Sequence, residues 1–269
     1  MGNEMFEPAD GRLLEYALGG PDDGFPIVSL HGLLGGATID SDHERLCART
    51  GVRLISVARP GYGRSTPIPD APGRNVASGV SDVLALLDHL GVETYGAIGI
   101  SAGAPHALAL SALGNPVSTT VVSGLPPVFY AGVRRGYPVS ARAVFALLRR
   151  SGAARGLYAK TLLAVLGKTM PDEPAVAESA VQGGAGMRRE MLLQQRPWGF
   201  AFGDVGAVTW FHGDEDDEVP LAAAEKARTL LPDATFVVVP GMGHFPDEDR
   251  WAEIYRSAVA AGRSGTEKD

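Results

Sequence analysis

Short apolar runs alternate along this chain with segments in which apolar residues recur at helical spacing. The strand candidates cover residues 27–30, 53–57, 95–100, 119–122, 208–211 and 235–239. Segments 76–90 and 102–113 have helical periodicity and stop at Gly91 and Gly114, and an opening hairpin is expected around residues 12–18. This alternation predicts an α/β fold with a mostly parallel central sheet flanked by helices.

The alternation breaks between the strand that ends near Val122 and the strand that ends near Phe211, where no strand pattern is visible. Helical spacing in this stretch covers residues 139–150, 156–166, 175–181 and 187–195. We interpret the stretch as an inserted helical cap. The predicted organisation is a core of residues 1–124 and 204–262, a helical cap of residues 125–203, and a disordered tail of residues 263–269.

Ser101 is the candidate nucleophile. It is the central residue of Gly-x-Ser-x-Gly, between an apolar strand pattern and an alanine-rich helical pattern. A turn this sharp strains its central residue and leaves little room around it, so Gly99 and Gly103 supply the missing side-chain volume. The backbone amide of Ala102 would then lie at the helix start, where it could donate to an oxyanion. An ordinary glycine-rich turn with a passive serine is the alternative.

A nucleophilic serine needs a base and an orienting acid, and the chain offers both after its last two strand patterns. His244 lies in a glycine-rich loop that follows residues 235–239. The loop after residues 208–211 carries five adjacent carboxylates: Asp214, Glu215, Asp216, Asp217 and Glu218. Most of these are expected to be solvated loop charges, and one is expected to hold the tautomer of His244.

A second oxyanion donor is expected from the loop after the first buried strand, which begins His31-Gly32-Leu33. Glycines in this loop let its backbone approach a substrate closely, and the backbone amide of Leu33 is the candidate donor beside that of Ala102. We expect His31 to be an orienting hydrogen-bonding residue and not a base or metal ligand.

Five motifs in this order give the chain its resemblance to the α/β-hydrolase fold family over nearly its whole length. They are His31-Gly32, Arg59-Pro60-Gly61-Tyr62-Gly63-Arg64-Ser65, Gly99-Ile100-Ser101-Ala102-Gly103, Gly213-Asp214-Glu215-Asp216 with Pro220, and Gly241-Met242-Gly243-His244-Phe245. The resemblance implies the fold with its cap, Ser101 as nucleophile, His244 as base, and the amides of Leu33 and Ala102 as oxyanion donors. By spacing from Gly213 and Pro220 it implies Asp216 as the acid, with Asp214 as the second choice.

The chain also departs from parts of this family. Ala58 stands where many relatives carry Asp, which removes one loop contact and leaves the triad intact. The first loop differs from the His-Gly-Gly-Pro-Gly of proline iminopeptidases, which makes aminopeptidase activity a minor reading. Epoxide hydrolases and haloalkane dehalogenases use Asp at the nucleophile position, so Ser101 argues against both.

The combined pattern predicts a serine hydrolase that cleaves a carboxylic ester through an acyl-enzyme, with lactone, thioester and amide substrates left open. A non-hydrolytic enzyme of the same fold, such as a lyase or a cofactor-free oxygenase-like enzyme, is the alternative, as is a ligand receptor with negligible turnover. Four aromatic residues at the two junctions of the cap are expected either to line an apolar substrate pocket or to hold the cap in place: Phe129, Tyr130, Trp198 and Phe200.

Composition agrees with a globular enzyme whose partner is a small-molecule substrate. Hydrophobic residues make up 45% of the chain and charged residues 20%, enough for a large core with a solvated surface, and the net charge of −7 gives no support for nucleic-acid binding. No secretory signal or membrane-spanning run is visible, so a cytoplasmic location is expected. Cys47 is the single cysteine and is expected to pack inside. Neither a metal nor a cofactor is expected, and the sequence leaves the oligomeric state open.

Overall fold

A single eight-stranded sheet forms the centre of the molecule in the computed structural model, which describes residues 2–71 and 73–266. Its strands are β1 (Glu4–Phe6), β2 (Leu14–Gly19), β3 (Phe25–Leu30), β4 (Val52–Val57), β5 (Gly96–Ile100), β6 (Ser118–Val122), β7 (Val208–Gly213) and β8 (Ala234–Val239). The spatial order is β1-β2-β4-β3-β5-β6-β7-β8. Strands β3 to β8 are parallel, while β1 and β2 pair antiparallel at one edge. The predicted mostly parallel sheet is confirmed.

Helices connect and cover these strands. They are α1 (Ser41–Thr50), α2 (Val80–His89), α3 (Ala104–Gly114), α4 (Ala131–Arg134), α5 (Val139–Arg150), α6 (Gly152–Thr169), α7 (Pro174–Ala180), α8 (Ala185–Leu193), α9 (Leu221–Arg228) and α10 (Glu248–Thr266). Among the described residues, none of these helices is both long and apolar enough to cross a bilayer.

Two apolar clusters lie on the two faces of the sheet, because successive side chains of a strand point to opposite sides. Val28 of β3 belongs to the cluster that includes residues of α2, α3 and α9. Its neighbour Ile27 belongs to the cluster that includes residues of α1 and α10. Cys47 of α1 is buried in this second cluster, as the sequence predicts, and burial raises the pKa of its thiol to about 12. Helices therefore cover both faces of the sheet.

The segment between β6 and β7 contains five helices, α4 to α8, and no strand in the described chain. Helix α5 has the predicted bounds, whereas α6 begins four residues before the predicted start at 156, because Ser151 caps its first turn by accepting a hydrogen bond from the Ala154 amide at 3.1 Å. A separate small apolar cluster joins these helices to the core, with Met187 of α8 buried against Tyr62. The predicted division into core and cap stays a prediction.

The predicted disordered tail needs a correction at its start. Helix α10 runs to Thr266, so residues 263–266 continue a helix and are not a disordered extension. Trp251, Tyr255 and Val259, four residues apart, are buried on the side of α10 that faces the sheet. Residues 267–269 lie outside the described residues.

Candidate active site

The three proposed triad residues follow the carboxyl ends of three strands. Ser101 comes directly after β5, Asp216 lies in the loop after β7, and His244 lies in the loop after β8. Because these strands are parallel, their carboxyl ends share one edge of the sheet, which is where open α/β sheets bind ligands.

Ser101 occupies a strained turn between β5 and α3. Its φ is 50°, a left-handed backbone conformation that costs free energy for a residue with a Cβ. The two flanking glycines make the turn possible: a Cβ at Gly103 would overlap the carbonyl oxygen of Leu30, and a Cβ at Gly99 would lie 2.7 Å from that of Ala107. The turn therefore has the geometry that the Gly-x-Ser-x-Gly pattern predicts.

Asp216 and His244 form a buried pair. Nδ1 of His244 lies 3.0 and 2.9 Å from the two carboxylate oxygens of Asp216. Asp216 also accepts hydrogen bonds from the backbone amides of Glu218 at 3.0 Å and Val219 at 2.8 Å. Burial opposes ionisation of this carboxyl, but the hydrogen bonds from His244 and Val219 outweigh it and hold its pKa below the ordinary value. The ionised carboxylate therefore accepts the Nδ1 proton of His244.

When a neutral imidazole donates from Nδ1, its Nε2 carries the lone pair. Nε2 of His244 is therefore the nitrogen that could act as a base. Nε2 is buried and has no hydrogen-bond partner among the described residues. Its ionic neighbour is Oε2 of Glu218, at 3.4 Å, on a side chain that is 61% exposed. No hydrogen bond joins Nε2 to the Ser101 hydroxyl, so the structure brings Asp216 and His244 together and places Ser101 on the same sheet edge. Catalytic hydrogen bonds are often long in unliganded enzymes.

Asp214, the second choice for the acid, has a different contact. Its Oδ1 accepts a hydrogen bond at 2.7 Å from the backbone amide of Gly241, which lies in the loop that carries His244. Asp214 therefore links the two loops through a backbone amide, and Asp216 is the carboxylate that hydrogen-bonds to Nδ1 of the imidazole.

The loop after β3 lies beside Ser101. A Cβ at Gly32 would be 3.6 Å from the Cβ of Ser101, which places the neighbouring Leu33 amide within the same small region. His31 has the orienting contacts expected of it: Nδ1 donates to the Gly32 carbonyl at 2.9 Å and Nε2 accepts from the Arg59 amide at 3.2 Å. Burial lowers the pKa of His31 well below its ordinary value, so the ring is neutral.

The four aromatic residues of the cap junctions pack on one another and on Phe202. Trp198 is 1% exposed and belongs to the same core cluster as Val76 and Leu108, while its Nε1 donates to the Gln194 carbonyl at 3.2 Å. Tyr130 is 42% exposed and lines an open surface groove with Arg135 and Lys226. Trp198 is therefore a core position and Tyr130 a surface position, and whether the four aromatic residues line a substrate pocket or hold the cap in place stays a prediction.

Two other side chains near the site were missed by the sequence reasoning. Tyr137 is buried, and its hydroxyl has no hydrogen-bond partner in the part of the chain that the structure describes. Burial and then the negative charge of Asp216 raise its pKa, so the phenol stays protonated. Glu190 of α8 is fully buried and contacts core residues around the loop after β3. Neither belongs to a local motif, since each acquires its partners only through folding. The described residues hold no cluster of three His, Cys, Asp or Glu side chains suited to a metal ion.

The chain belongs to the alpha/beta hydrolase family, whose model matches residues 27–257. An uncharacterized hydrolase from Bacillus subtilis strain 168, YcgS, is 35% identical over 96 residues, which are 36% of this chain and 32% of that protein. The chain thus matches about a third of the length of this curated relative.

Solved structures share the fold over nearly the whole chain. An esterase from Exiguobacterium antarcticum is 21% identical with a TM-score of 0.71, and the alignment covers 97% of this chain and 100% of the esterase. The esterase RhEst1 from Rhodococcus sp. ECU1013 has the same identity and coverage with a TM-score of 0.63.

Proposed function

We propose that this protein is a serine hydrolase that cleaves a carboxylic ester, lactone or thioester of a small, mainly apolar molecule. The observation that carries the proposal is the environment of His244: Asp216 binds Nδ1, and Nε2 is buried, has no hydrogen-bond partner among the described residues, and lies at the sheet edge that carries the strained Ser101. The esterases among the structural neighbours are consistent with this activity.

The reaction would proceed in two steps. Nε2 of His244 takes the hydroxyl proton of Ser101 while the oxygen attacks the ester carbonyl, and the imidazolium then gives that proton to the departing alcohol as the acyl-enzyme forms. Water, deprotonated by His244, attacks the acyl-enzyme and releases the acid, and the proton returns to Ser101. Asp216 stays ionised throughout and stabilises the imidazolium.

The negative oxygen of each tetrahedral intermediate would be bound by the backbone amides of Leu33 and Ala102. Both belong to segments that lie against Ser101, the first in the loop after β3 and the second in the turn after β5. Donors fixed in this way act where charge develops in the transition state, and removing one typically lowers turnover by about a hundredfold to a thousandfold. Residues 125–203 would form the cap over this edge.

The proposal is tested by substituting Ser101 and by labelling it covalently. Ser101→Ala should reduce ester turnover by on the order of a million-fold, because no acyl-enzyme can form. A fluorophosphonate should label the unaltered protein on Ser101, as mapped by mass spectrometry of the labelled peptide.

Ser123 provides the matched control. It also has a left-handed backbone, with φ of 46°, and follows β6 at the same sheet edge, yet its buried hydroxyl contacts neither His244 nor Asp216 among the described contacts. Ser123→Ala should keep most of the turnover and the labelling. Labelling at another residue, or an active Ser101→Ala protein, would disprove the mechanism.

A further inference from the structure

Three consecutive carbonyls of the loop after β3 accept hydrogen bonds from side chains of one neighbouring segment. The Arg59 guanidinium donates to the His31 carbonyl through Nη1 and to the Gly32 carbonyl through Nη2, the latter at 2.9 Å. The Tyr62 hydroxyl donates to the Leu33 carbonyl at 2.8 Å. Arg59 is 3% exposed and Tyr62 is fully buried, so water does not compete for these carbonyls.

These contacts determine where the proposed oxyanion donor points. The Gly32 carbonyl and the Leu33 amide are two ends of one planar trans peptide, in which C=O and N–H point in opposite directions. Because Arg59 and the His31 ring both hold the Gly32 carbonyl, the Leu33 amide must point away from the guanidinium. A carbonyl left without these donors could rotate, and the amide would rotate with it.

Arg59 is itself held by a carboxylate from α8. Its Nε lies 3.6 Å from Oε1 of the fully buried Glu190, a contact that is an ion pair without a hydrogen bond, and Nη1 of Arg189 lies 3.7 Å from the same oxygen. The other oxygen of Glu190 accepts hydrogen bonds from His106 at 2.8 Å and from Gln194 at 3.0 Å. Burial alone would raise the pKa of Glu190, but His106 and Arg59 outweigh it and lower the pKa, so the carboxylate is ionised.

The same helix end also contacts Ala102, the residue whose amide is the second proposed oxyanion donor, through its carbonyl. Nε2 of Gln194 donates to the Ala102 carbonyl at 3.1 Å as well as to Glu190. One buried polar cluster therefore reaches both segments that flank Ser101. Neither Glu190 nor Arg59 touches the reacting atoms, so any effect on catalysis must pass through the backbone that they hold.

We propose that Arg59 and Glu190 are positioning residues for the oxyanion hole: Glu190 fixes the guanidinium of Arg59, and Arg59 fixes the Gly32–Leu33 peptide with its amide available to the oxyanion at Ser101. This inference rests on the proposed function. The planar fork of Arg59 serves two carbonyls at once, which a lysine ammonium cannot reproduce in the same geometry. Without Glu190, the buried guanidinium has no counter-charge within the cluster and must shift towards water.

The experiment measures kcat, KM and the affinity for an aryl trifluoromethyl ketone in Glu190→Gln and Arg59→Lys proteins. Ser101 adds to the ketone carbonyl with its proton passing to His244, and the resulting hemiketal oxygen is an oxyanion. Each substitution should lower kcat by about tenfold to a hundredfold and leave KM within about twofold. The affinity for the ketone should fall by the same factor as kcat. A role in folding alone would lower stability without this matched loss.

Asp82→Asn is the matched control. Asp82 is a 5% exposed carboxylate that accepts two hydrogen bonds from Arg12, at 2.9 and 2.7 Å, and it makes none with the loop after β3. This substitution also breaks an ion pair with a buried carboxylate, but kcat and ketone affinity should be unchanged. Tyr62→Phe, which removes a single hydroxyl, supplies a milder variant in case the charge substitutions do not fold.

Amide hydrogen exchange separates failure of this inference from failure of the proposed function. Exchange in a peptide that covers residues 31–36 should increase in Glu190→Gln and not in Asp82→Asn, whether or not the protein hydrolyses esters. Unchanged exchange in that peptide overturns the inference, as does unchanged kcat in folded Glu190→Gln and Arg59→Lys proteins that the fluorophosphonate labels. Absence of labelling and of turnover in the unaltered protein would instead disprove the proposed function.

Discussion

Among the described residues, His244 is hydrogen-bonded at Nδ1 and has no hydrogen-bond partner at Nε2, and this asymmetry determines which nitrogen can act as a base. Asp216 accepts from Nδ1 with both oxygens, while two backbone amides hold the carboxylate in place. The carboxylate therefore selects the tautomer whose lone pair is on Nε2. This tautomer is the one that the proposed mechanism needs, because only a ring with a free lone pair on Nε2 can accept the proton of Ser101.

Asp216→Asn should reduce kcat by roughly ten-thousandfold, because an amide can present its N–H to Nδ1 and favour the wrong tautomer. Asp214→Asn is the matched control, since Asp214 is a neighbouring carboxylate in the same loop that bonds to the Gly241 amide. Its effect should be far smaller. Steady-state kinetics on one chromogenic ester measure both variants, and a larger loss for Asp214→Asn would assign the acid to that residue instead.

Local motifs were sufficient to nominate Ser101 and His244, because a sharp turn and a flexible loop need glycines at fixed offsets from the reacting residue. The choice among five adjacent carboxylates needed the family spacing, and the contact of Asp216 with His244 agrees with it. Glu190 could not be found in this way. Its partners lie on β4's following loop and on α3, and only the folded chain brings them to α8.

At the scale of elements, the aromatic cluster connects the segment between β6 and β7 to the core. The ring of Trp198 lies 5.7 Å from that of Phe129 and 5.5 Å from that of Phe202, measured between centroids, and the backbone carbonyl of Trp198 accepts from the Ala77 amide at 2.9 Å. These contacts join both junctions of the segment to the turn before α2. The cluster thus attaches this helical segment to the core.

Trp198→Ala should destabilise the protein by about 3–5 kcal/mol, because removing a fully buried indole ring leaves a large cavity. Activity on bulky and small esters should fall alike. Thermal unfolding and a panel of esters measure the two effects, and Tyr130→Ala, at a 42% exposed ring of the same cluster, should cost much less stability. A change of ester preference on a nearly unchanged melting temperature would show instead that Trp198 lines the substrate pocket.

The parallel strands were predictable because buried strands are short apolar runs, and the helices between β6 and β7 were predictable because apolar residues recur there at helical spacing. Helix α1 was harder to predict, since it is largely polar; it begins at Ser41, after Asp40, whose carboxylate caps it by accepting hydrogen bonds from the Asp42 and His43 amides. The three-residue strand β1 has too few residues for a period of two to be visible. Its existence depends on pairing with β2.

At the scale of the whole molecule, three buried histidines make stability depend on pH. Burial is the largest cause that lowers the pKa of His31, His106 and His212 below the ordinary value. The unfolded chain therefore binds protons below about pH 6.5 that the folded protein does not. Their contribution to stability is complete above that pH and is progressively lost as the pH falls through it.

The free energy of unfolding should therefore decrease as the pH falls below about 6.5, by up to about 1.4 kcal/mol per pH unit for each histidine. Urea unfolding between pH 8 and pH 5 measures the slope. His106→Asn should remove about one third of it, whereas His89→Asn, at an exposed position, should leave it unchanged. A stability that is constant over this range would show that the buried histidines are protonated in the folded protein.

The ion pair between Arg59 and Glu190 connects the predicted core to the predicted cap, residues 125–203. A chimera that keeps residues 1–124 and 204–262 and takes its cap from a relative would lose Glu190 unless the donor cap carries a carboxylate at the same place on the same helix. The buried guanidinium of Arg59 would then lack the carboxylate with which it forms its ion pair. In any chimera of this protein, the residues at positions 59 and 190 should therefore be kept or exchanged together.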